Sequence, residues 1–291
     1  MHVVTGVTGN TGAVVADALL AAREPVRVVV RDPAKAAPWT ARGAEAVAAD
    51  LADADALAAA LRGARSAYLL IPPDLTAPDP IAHAQQVAES IATACDRAGL
   101  PHAVILSSFA AHRSDAPGML ATTHLFERRM QSIAGRLTVL RAASFMETSA
   151  PMVLLGAASG TMPSLVATAV PFEQIAAADF GAIAAQAMCA AHGERRRVIE
   201  IAGPRAYSAD DMAAAVAAVT GRPTQAVLVP EGGRVPALVN VGMGPAYAAQ
   251  VVAITDALSA GSARFEGDTP RRGPTTMETW VRRLLAAAPV H

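Results

Sequence analysis

The sequence predicts an α/β fold: a doubly wound parallel sheet occupying the first half of the chain, followed by a smaller C-terminal α/β lobe. Two observations predict it. Short apolar runs alternate with stretches of helical periodicity from the first residues to about position 140, the pattern of a parallel sheet covered on both faces. The first apolar run also leads straight into Thr5-Gly6-Val7-Thr8-Gly9-Asn10-Thr11-Gly12, a glycine turn of the kind that opens the first helix of a nucleotide-binding domain.

The elements follow in order. Strands are expected at residues 2–5, 26–30, 46–49, 67–71, 103–107 and 137–140, with helices near 12–22, 53–61, 80–98 and 120–134. Gly99 and Gly135 stand where glycines past a helix end would stop the last two helices. Beyond Arg141 the pattern loosens. Segments 146–164 and 232–248 are rich in Gly, Pro and Met, and they alternate with helices expected at 179–191 and 208–219 and strands at 198–201 and 225–229. Residues 1–145 are thus read as a Rossmann domain that binds NAD(P), and 146–291 as a smaller substrate-binding lobe, partly interleaved with it. That lobe is expected over the carboxyl ends of the strands, where open α/β sheets bind ligands.

Composition bounds the rest. The formal net charge is −1, with acids and bases spread along the chain, so no nucleic-acid or membrane-surface partner is expected. Arg195-Arg196-Arg197 is the one cationic cluster, read as a solvated loop before a strand. Segment 175–191 is the most apolar long stretch, but it carries Asp179 and Gln186 and is short for a bilayer, so it is read as a soluble helix. The first strand begins at His2, which leaves no room for a secretory signal, and a cytoplasmic location is expected. Cys95 and Cys189 lie in alanine-rich helical patterns and are read as small buried apolar residues. The histidines at 2, 83, 102, 112, 192 and 291 share no ligand spacing with one another or with the cysteines, so no metal site is expected.

The glycine turn carries a specific chemistry. Gly6 permits the tight turn, Gly9 the close approach of backbone to a pyrophosphate, and Gly12 the packing of helix on strand, while the helix N-terminus offers amide donors. Thr8, Asn10 and Thr11 add short polar groups. Where an NAD-preferring site carries an acid at the end of its second strand, this chain has Arg31. A guanidinium there favours the 2′-phosphate of NADP(H), which is expected in preference to NAD(H). Asp32 beside it remains able to serve a ribose hydroxyl. Asp50-Leu51, after the third strand, is placed to meet adenine, unless Asp50 is a loop acid ahead of Asp53 as helix cap. Ser107 and Ser108 end the fifth strand, where the nicotinamide should sit.

Segment 4–12, Arg31-Asp32-Pro33, Ser107-Ser108, segment 124–128 and the strand end at 140–145 together resemble the NmrA-like family of atypical short-chain dehydrogenase/reductases. The resemblance rests on motifs through the first 150 or so residues and on general layout beyond them. It implies a Rossmann domain with a small substrate lobe and a preference for NADP(H). Its members range from quinone and azo reductases to redox-sensing regulators without turnover. The glycine turn, Arg31 and Ser107 match positions that contact cofactor in such proteins. This chain departs from the family pattern at Ala142, where a proline is often found, and at Arg128, where a lysine is often found.

The catalytic inventory narrows the chemistry. Typical short-chain dehydrogenases use Tyr-x-x-x-Lys as a proton relay, but Lys35 is the only lysine, and Tyr68, Tyr207 and Tyr247 are followed four residues later by Pro72, Asp211 and Val251. His124 and Arg128 stand in the corresponding helix, on one face, as candidates to donate a proton and to hold the nicotinamide ribose or stabilise negative charge. Packing of His124 against the lobe, and pairing of Arg128 with Glu127 or Glu147, is the alternative. Phe145 and Met146 are candidates for an apolar pocket suited to a flat acceptor. Without Tyr and Lys, reduction of an ordinary ketone suffers more than reduction of a quinone-like acceptor, whose anion is already stabilised. The expected function is hydride transfer from NADPH to an activated aromatic acceptor such as a quinone. The alternative is a non-catalytic NADP(H)-binding redox sensor. The expected partner is a small aromatic or quinone-like molecule, with a homodimer left open.

Overall fold

A computed structural model describes residues 1–190 and 193–287, and its framework is an eight-stranded sheet in which every neighbouring pair runs parallel. The first half supplies β1 (His2–Val4), α1 (Asn10–Ala21), β2 (Val26–Val30), α2 (Ala37–Thr40), β3 (Glu45–Ala48), α3 (Ala54–Leu61) and β4 (Ser66–Leu69). It continues through α4 (Pro80–Ala98), β5 (His102–Ser108), α5 (Leu120–Met130) and β6 (Arg136–Ala142). Within this half the strands lie in the order 3-2-1-4-5-6, so the winding reverses between β1 and β4. That reversal opens a crevice at the carboxyl ends of the strands. Burial on both faces explains why these strands read as apolar runs: Val3, Val4, Val28, Tyr68, Val104 and Ile105 are all fully enclosed.

Local chemistry sets the ends of these helices. Asp53 accepts hydrogen bonds from the amides of Asp55 and Ala56 to start α3, and Asp79 does the same for α4 through Ile81 and Ala82, with Pro80 in the first turn. Gly99 stops α4 in the left-handed region at φ +60°. Gly135 has a different role from the one expected. Helix α5 ends at Met130, and Gly135 is needed because a Cβ there would sit 2.1 Å from the Leu100 carbonyl oxygen, where two chain segments touch.

The second half contains more regular structure than its composition suggested. It comprises β7 (Ser144–Phe145), α6 (Ala150–Ser159), β8 (Thr161–Ser164), β9 (Phe172–Ile175), α7 (Ala177–Cys189), β10 (Arg196–Ala202) and β11 (Ala206–Tyr207). There follow α8 (Ala209–Thr220), β12 (Gln225–Leu228), α9 (Glu231–Asn240), α10 (Pro245–Ser259), β13 (Arg271–Arg272) and α11 (Met277–Ala287). Strands β10 and β13 extend the large sheet beyond β6, while β11-β9-β7 and β12-β8 form two small sheets. Helix α7 crosses α1 so closely that a Cβ on Gly181 would lie 2.6 Å from Val14 Cγ2. The lobe has its own apolar core around Met146, Val153, Met212, Val216 and Trp280.

Four expectations change. Segment 146–164 is not irregular: it folds into α6 and β8. Arg196 and Arg197 belong to β10, and Arg195 donates to the Ile133 carbonyl, so the arginine cluster is a strand entry held to its neighbours. Cys95 is buried as expected, but Cys189 is exposed at the end of α7. The apolar stretch from 175 is divided, with Ile175 in β9 and the helix confined to Ala177–Cys189. Position 191 of that expectation lies outside the described residues, as do His192 and His291. Among the described residues no helix is long and apolar enough to cross a membrane.

Candidate active site at the carboxyl ends of the strands

The glycine turn is held from below and open above. Thr5 bonds the Tyr68 carbonyl through both its amide and its hydroxyl, at 3.1 and 3.0 Å, which locks the end of β1 to β4. Gly6 has φ +66°, and a Cβ there would come 2.8 Å from Leu70 Cδ2. Gly12 is the tightest point: a Cβ would lie 2.3 Å from the Gly6 oxygen. Gly9 precedes α1 without any side-chain cap, so the first-turn amides face outward unspent, beside exposed Thr8 and Asn10. Thr11 is buried against the turn. A backbone cradle that excludes Cβ atoms and leaves helix-terminal donors free fits a dinucleotide pyrophosphate.

The flanking candidates lie along the same edge. Arg31 is exposed directly beyond β2, with Asp32 turned back to accept from the Ala34 amide at 2.9 Å. The Asp32 carboxylate therefore helps to form the loop, and the guanidinium stands free of it. Asp50 accepts from the Ala52 amide at 2.9 Å, and Leu51 packs partly against the core.

At the end of β5 the two serines part company. Ser107 is 2 % exposed and donates to Glu127 Oε1 at 2.6 Å. Glu127 in turn receives a two-pronged contact from Arg141, Nε to Oε1 and Nη2 to Oε2, each 2.9 Å. Arg141 also reaches Glu266 and lies 3.9 Å from Glu200. Burial works against the Arg141 charge, but hydrogen bonds and attraction from Glu127 and Glu266 outweigh it and hold its pKa above the ordinary value. The hydrogen bond from Arg141 keeps Glu266 below the usual carboxylate range. This enclosed ion pair is not among the sequence expectations, in which Glu127 is only one of two alternative partners for Arg128. The pairing follows from α5 lying against β5 and β6, which turns Glu127 inward and leaves Arg128 exposed.

Ser108 points instead toward a cavity of about 280 Å³. Its walls are Ile71 and Pro72 after β4, His83 on α4, Met119, Thr122 and Thr123 at the start of α5, and Tyr247 and Ile254 on α10. The lining is mainly apolar, and burial pushes the Tyr247 hydroxyl pKa upward. Apart from Ser108, none of these residues is a site candidate in the sequence, where Tyr247 enters only as a tyrosine without a lysine four residues on. They come from four separated segments, and nothing in their local spacing marks them.

The remaining candidates lie nearby without lining that cavity. His124 is half-buried, with Nδ1 2.8 Å from the Ala111 carbonyl. A carbonyl only accepts, so Nδ1 carries the hydrogen and Nε2 is the nitrogen left for other work. Phe145 stacks edge-on against Phe180 at 5.3 Å. Met146 is fully enclosed in the lobe core, and the expectation that it lines a pocket fails because it fills the space between α6 and α8. Glu147 accepts from the Ala177 amide and from Trp280 Nε1, and burial raises its pKa.

The model of the NmrA-like family matches residues 2–258. An NAD(P)H azoreductase of Xenophilus azovorans is 28 % identical over 244 residues, covering 84 % of this chain and 82 % of that protein. Quinone oxidoreductase 2 of Escherichia coli strain K12 is 28 % identical over 254 residues, with the same coverage of each. The Citrobacter triphenylmethane reductase, crystallised with NADP(H), superposes with a TM-score of 0.83 at 20 % identity, covering 98 % of this chain and all of that one. At that identity the superposition speaks to the fold.

Proposed function

Because the chain belongs to the NmrA-like family, we propose that it is an NADPH-dependent reductase acting on an activated, aromatic acceptor of the quinone or azo-dye kind. The observation that carries this reading is that two features share the carboxyl ends of the strands: a glycine cradle after β1 whose Gly6 abuts Leu70, and a mainly apolar cavity lined by the next residue, Ile71, and by Ser108 at the end of β5. Relatives named for azo and quinone reduction support it.

In this reading the amides of Asn10 to Gly12, with Gly9 giving close backbone approach and Thr8, Asn10 and Thr11 beside them, hold the pyrophosphate; Arg31 holds the 2′-phosphate; Asp50 and Leu51 flank the adenine. When bound, NADPH supplies the hydride. Ser108 faces the reacting end, while Ser107 spends its hydroxyl on Glu127 and positions the strand. Arg128, exposed on α5, keeps a proposed contact to the cofactor. His124 pins the turn after β5 through Ala111, so Nε2 of the neutral ring is an acceptor and donates a proton only from the imidazolium form. Tyr247, its hydroxyl kept protonated by burial, donates a hydrogen bond to an acceptor oxygen or nitrogen in the cavity. Apolar walls exclude water from a flat acceptor, and an acceptor whose anion is stabilised needs no Tyr-Lys relay.

The test is to titrate purified protein with NADPH and NADH, then follow NADPH oxidation with a panel of quinones and azo dyes. Preferential NADPH binding with turnover, slowed in Tyr247→Phe, is the expected result. Tight NADPH binding with no oxidation by any acceptor would replace it with the redox-sensor reading.

A further inference from the structure

At the opposite end of the large sheet, where the strands begin, three donor atoms of different chemistry converge. His2 opens β1, Glu24 lies between α1 and β2, and Cys189 ends α7. One ligand atom from each lies within 4.8 Å of the others. His2 Nε2 is 3.3 Å from Glu24 Oε2 and 3.8 Å from Cys189 Sγ. Their sequence separation leaves no motif, which is why spacing alone argued against a metal.

We propose that His2, Glu24 and Cys189 form a binding site for one zinc-like divalent cation. The distances carry it first. A tetrahedral zinc with Zn–N and Zn–O of about 2.0–2.1 Å and Zn–S of about 2.3 Å holds its donor atoms roughly 3.3–3.7 Å apart, close to the two separations seen. The ring is also presented correctly. Arg65 Nη2 lies 2.6 Å from His2 Nε2, and a guanidinium only donates, so Nε2 bears the lone pair. The ring hydrogen is then on Nδ1, which donates to Ser66 Oγ at 2.7 Å. This is the outer-shell hydrogen bond that typically orients a metal-binding histidine. His2 itself is fully buried, so its ring is already immobilised.

Arg65 occupies the place of the cation. It bridges Nε2 and Glu24, and its side chain is 57 % exposed, so it can swing into solvent when a metal arrives. Binding then exchanges one positive group for another. The Cys189 thiol gives one proton to solvent as its sulfur bonds the metal. A water completes the fourth position. The site would staple the end of α7 and the α1–β2 connection to β1. It is remote from the glycine turn and independent of the reductase reading.

The test uses chelator-treated full-length protein and Co²⁺ as an optical probe. The expected result is a thiolate-to-cobalt charge-transfer band that saturates at one equivalent, is removed by Zn²⁺, and is absent in Cys189→Ser. In Arg65→Gln the titration midpoint should tighten by about tenfold as the competing charge is removed. Undiminished NADPH binding by Cys189→Ser would confirm that loss of the band is not loss of fold. No charge-transfer band in the parent, the same band in Cys189→Ser, or an unchanged midpoint in Arg65→Gln would each overturn the proposal.

Discussion

The turn between β1 and α1 takes its shape from the backbone of eight consecutive residues, whereas the cavity beside Ser108 is walled by side chains drawn from residues 71 to 254. The turn tolerates almost no added atom, as the 2.3 Å approach at Gly12 shows. The cavity side is held by an enclosed ion pair, Glu127–Arg141, whose partners come from different elements. One region is specified by what glycine lacks, the other by charged groups that must find each other during folding. The difference teaches that a turn built from backbone and a cavity built from side chains fail in different ways.

The largest expected effect sharpens this contrast on the cavity side. Glu127→Ala leaves Arg141 buried with only its outer partners and should cost about 3–5 kcal/mol in urea unfolding. A loss below about 1 kcal/mol would show that the pair does not support that side. Next comes the turn. Gly12→Ala should weaken NADPH binding by on the order of 100-fold, about 2.7 kcal/mol, in equilibrium titration, with a smaller loss of stability. Near-normal affinity would break the claim that backbone shape alone builds the turn.

A smaller effect separates charge from shape within the dinucleotide region. Arg31→Ala should lower NADPH affinity by about 10- to 30-fold, the worth of a charge-assisted contact, and leave NADH affinity nearly unchanged. Equal losses for both would remove Arg31 from the 2′-phosphate.

The smallest effect lies in the lobe, at the start of α8. Asp211 accepts from the Ser208 amide while Ser208 caps the Asp211 amide, and Arg205 bonds the same carboxylate. The Arg205 hydrogen bond leads the causes that lower its pKa from 3.8 to about 2. A depressed acid stabilises the fold above its unfolded pKa and loses that contribution as pH falls through the folded value. Asp211→Asn should therefore cost about 0.5–1 kcal/mol at pH 7, discounted for solvent screening. The gap to the parent should close between about pH 4 and pH 2. A gap independent of pH would assign the effect to geometry instead of charge.

Legibility in the sequence followed the same division. Asp53 and Gly99 announced helix ends correctly because each acts on amides or torsions within three residues of itself. The glycine turn was legible for the same reason. Gly135 was misread, since its need for a bare Cα comes from Leu100, a residue in another loop. Helices α6 and α9 were missed because their Pro and Gly content weighs against a helix locally. In α6 the pull of the lobe core on Val153 and Gly156 decides instead.

By itself the sequence determined the doubly wound class, the site of the turn and the absence of a Tyr-Lys relay, because apolar period, glycine spacing and residue inventory are local properties. Only the tertiary structure decided that β10 and β13 extend the first sheet, that Glu127 turns inward to Arg141, and that Tyr247 and Ser108 line the same cavity. Those outcomes depend on how distant elements pack, and burial energy is paid to surfaces that no single segment contains.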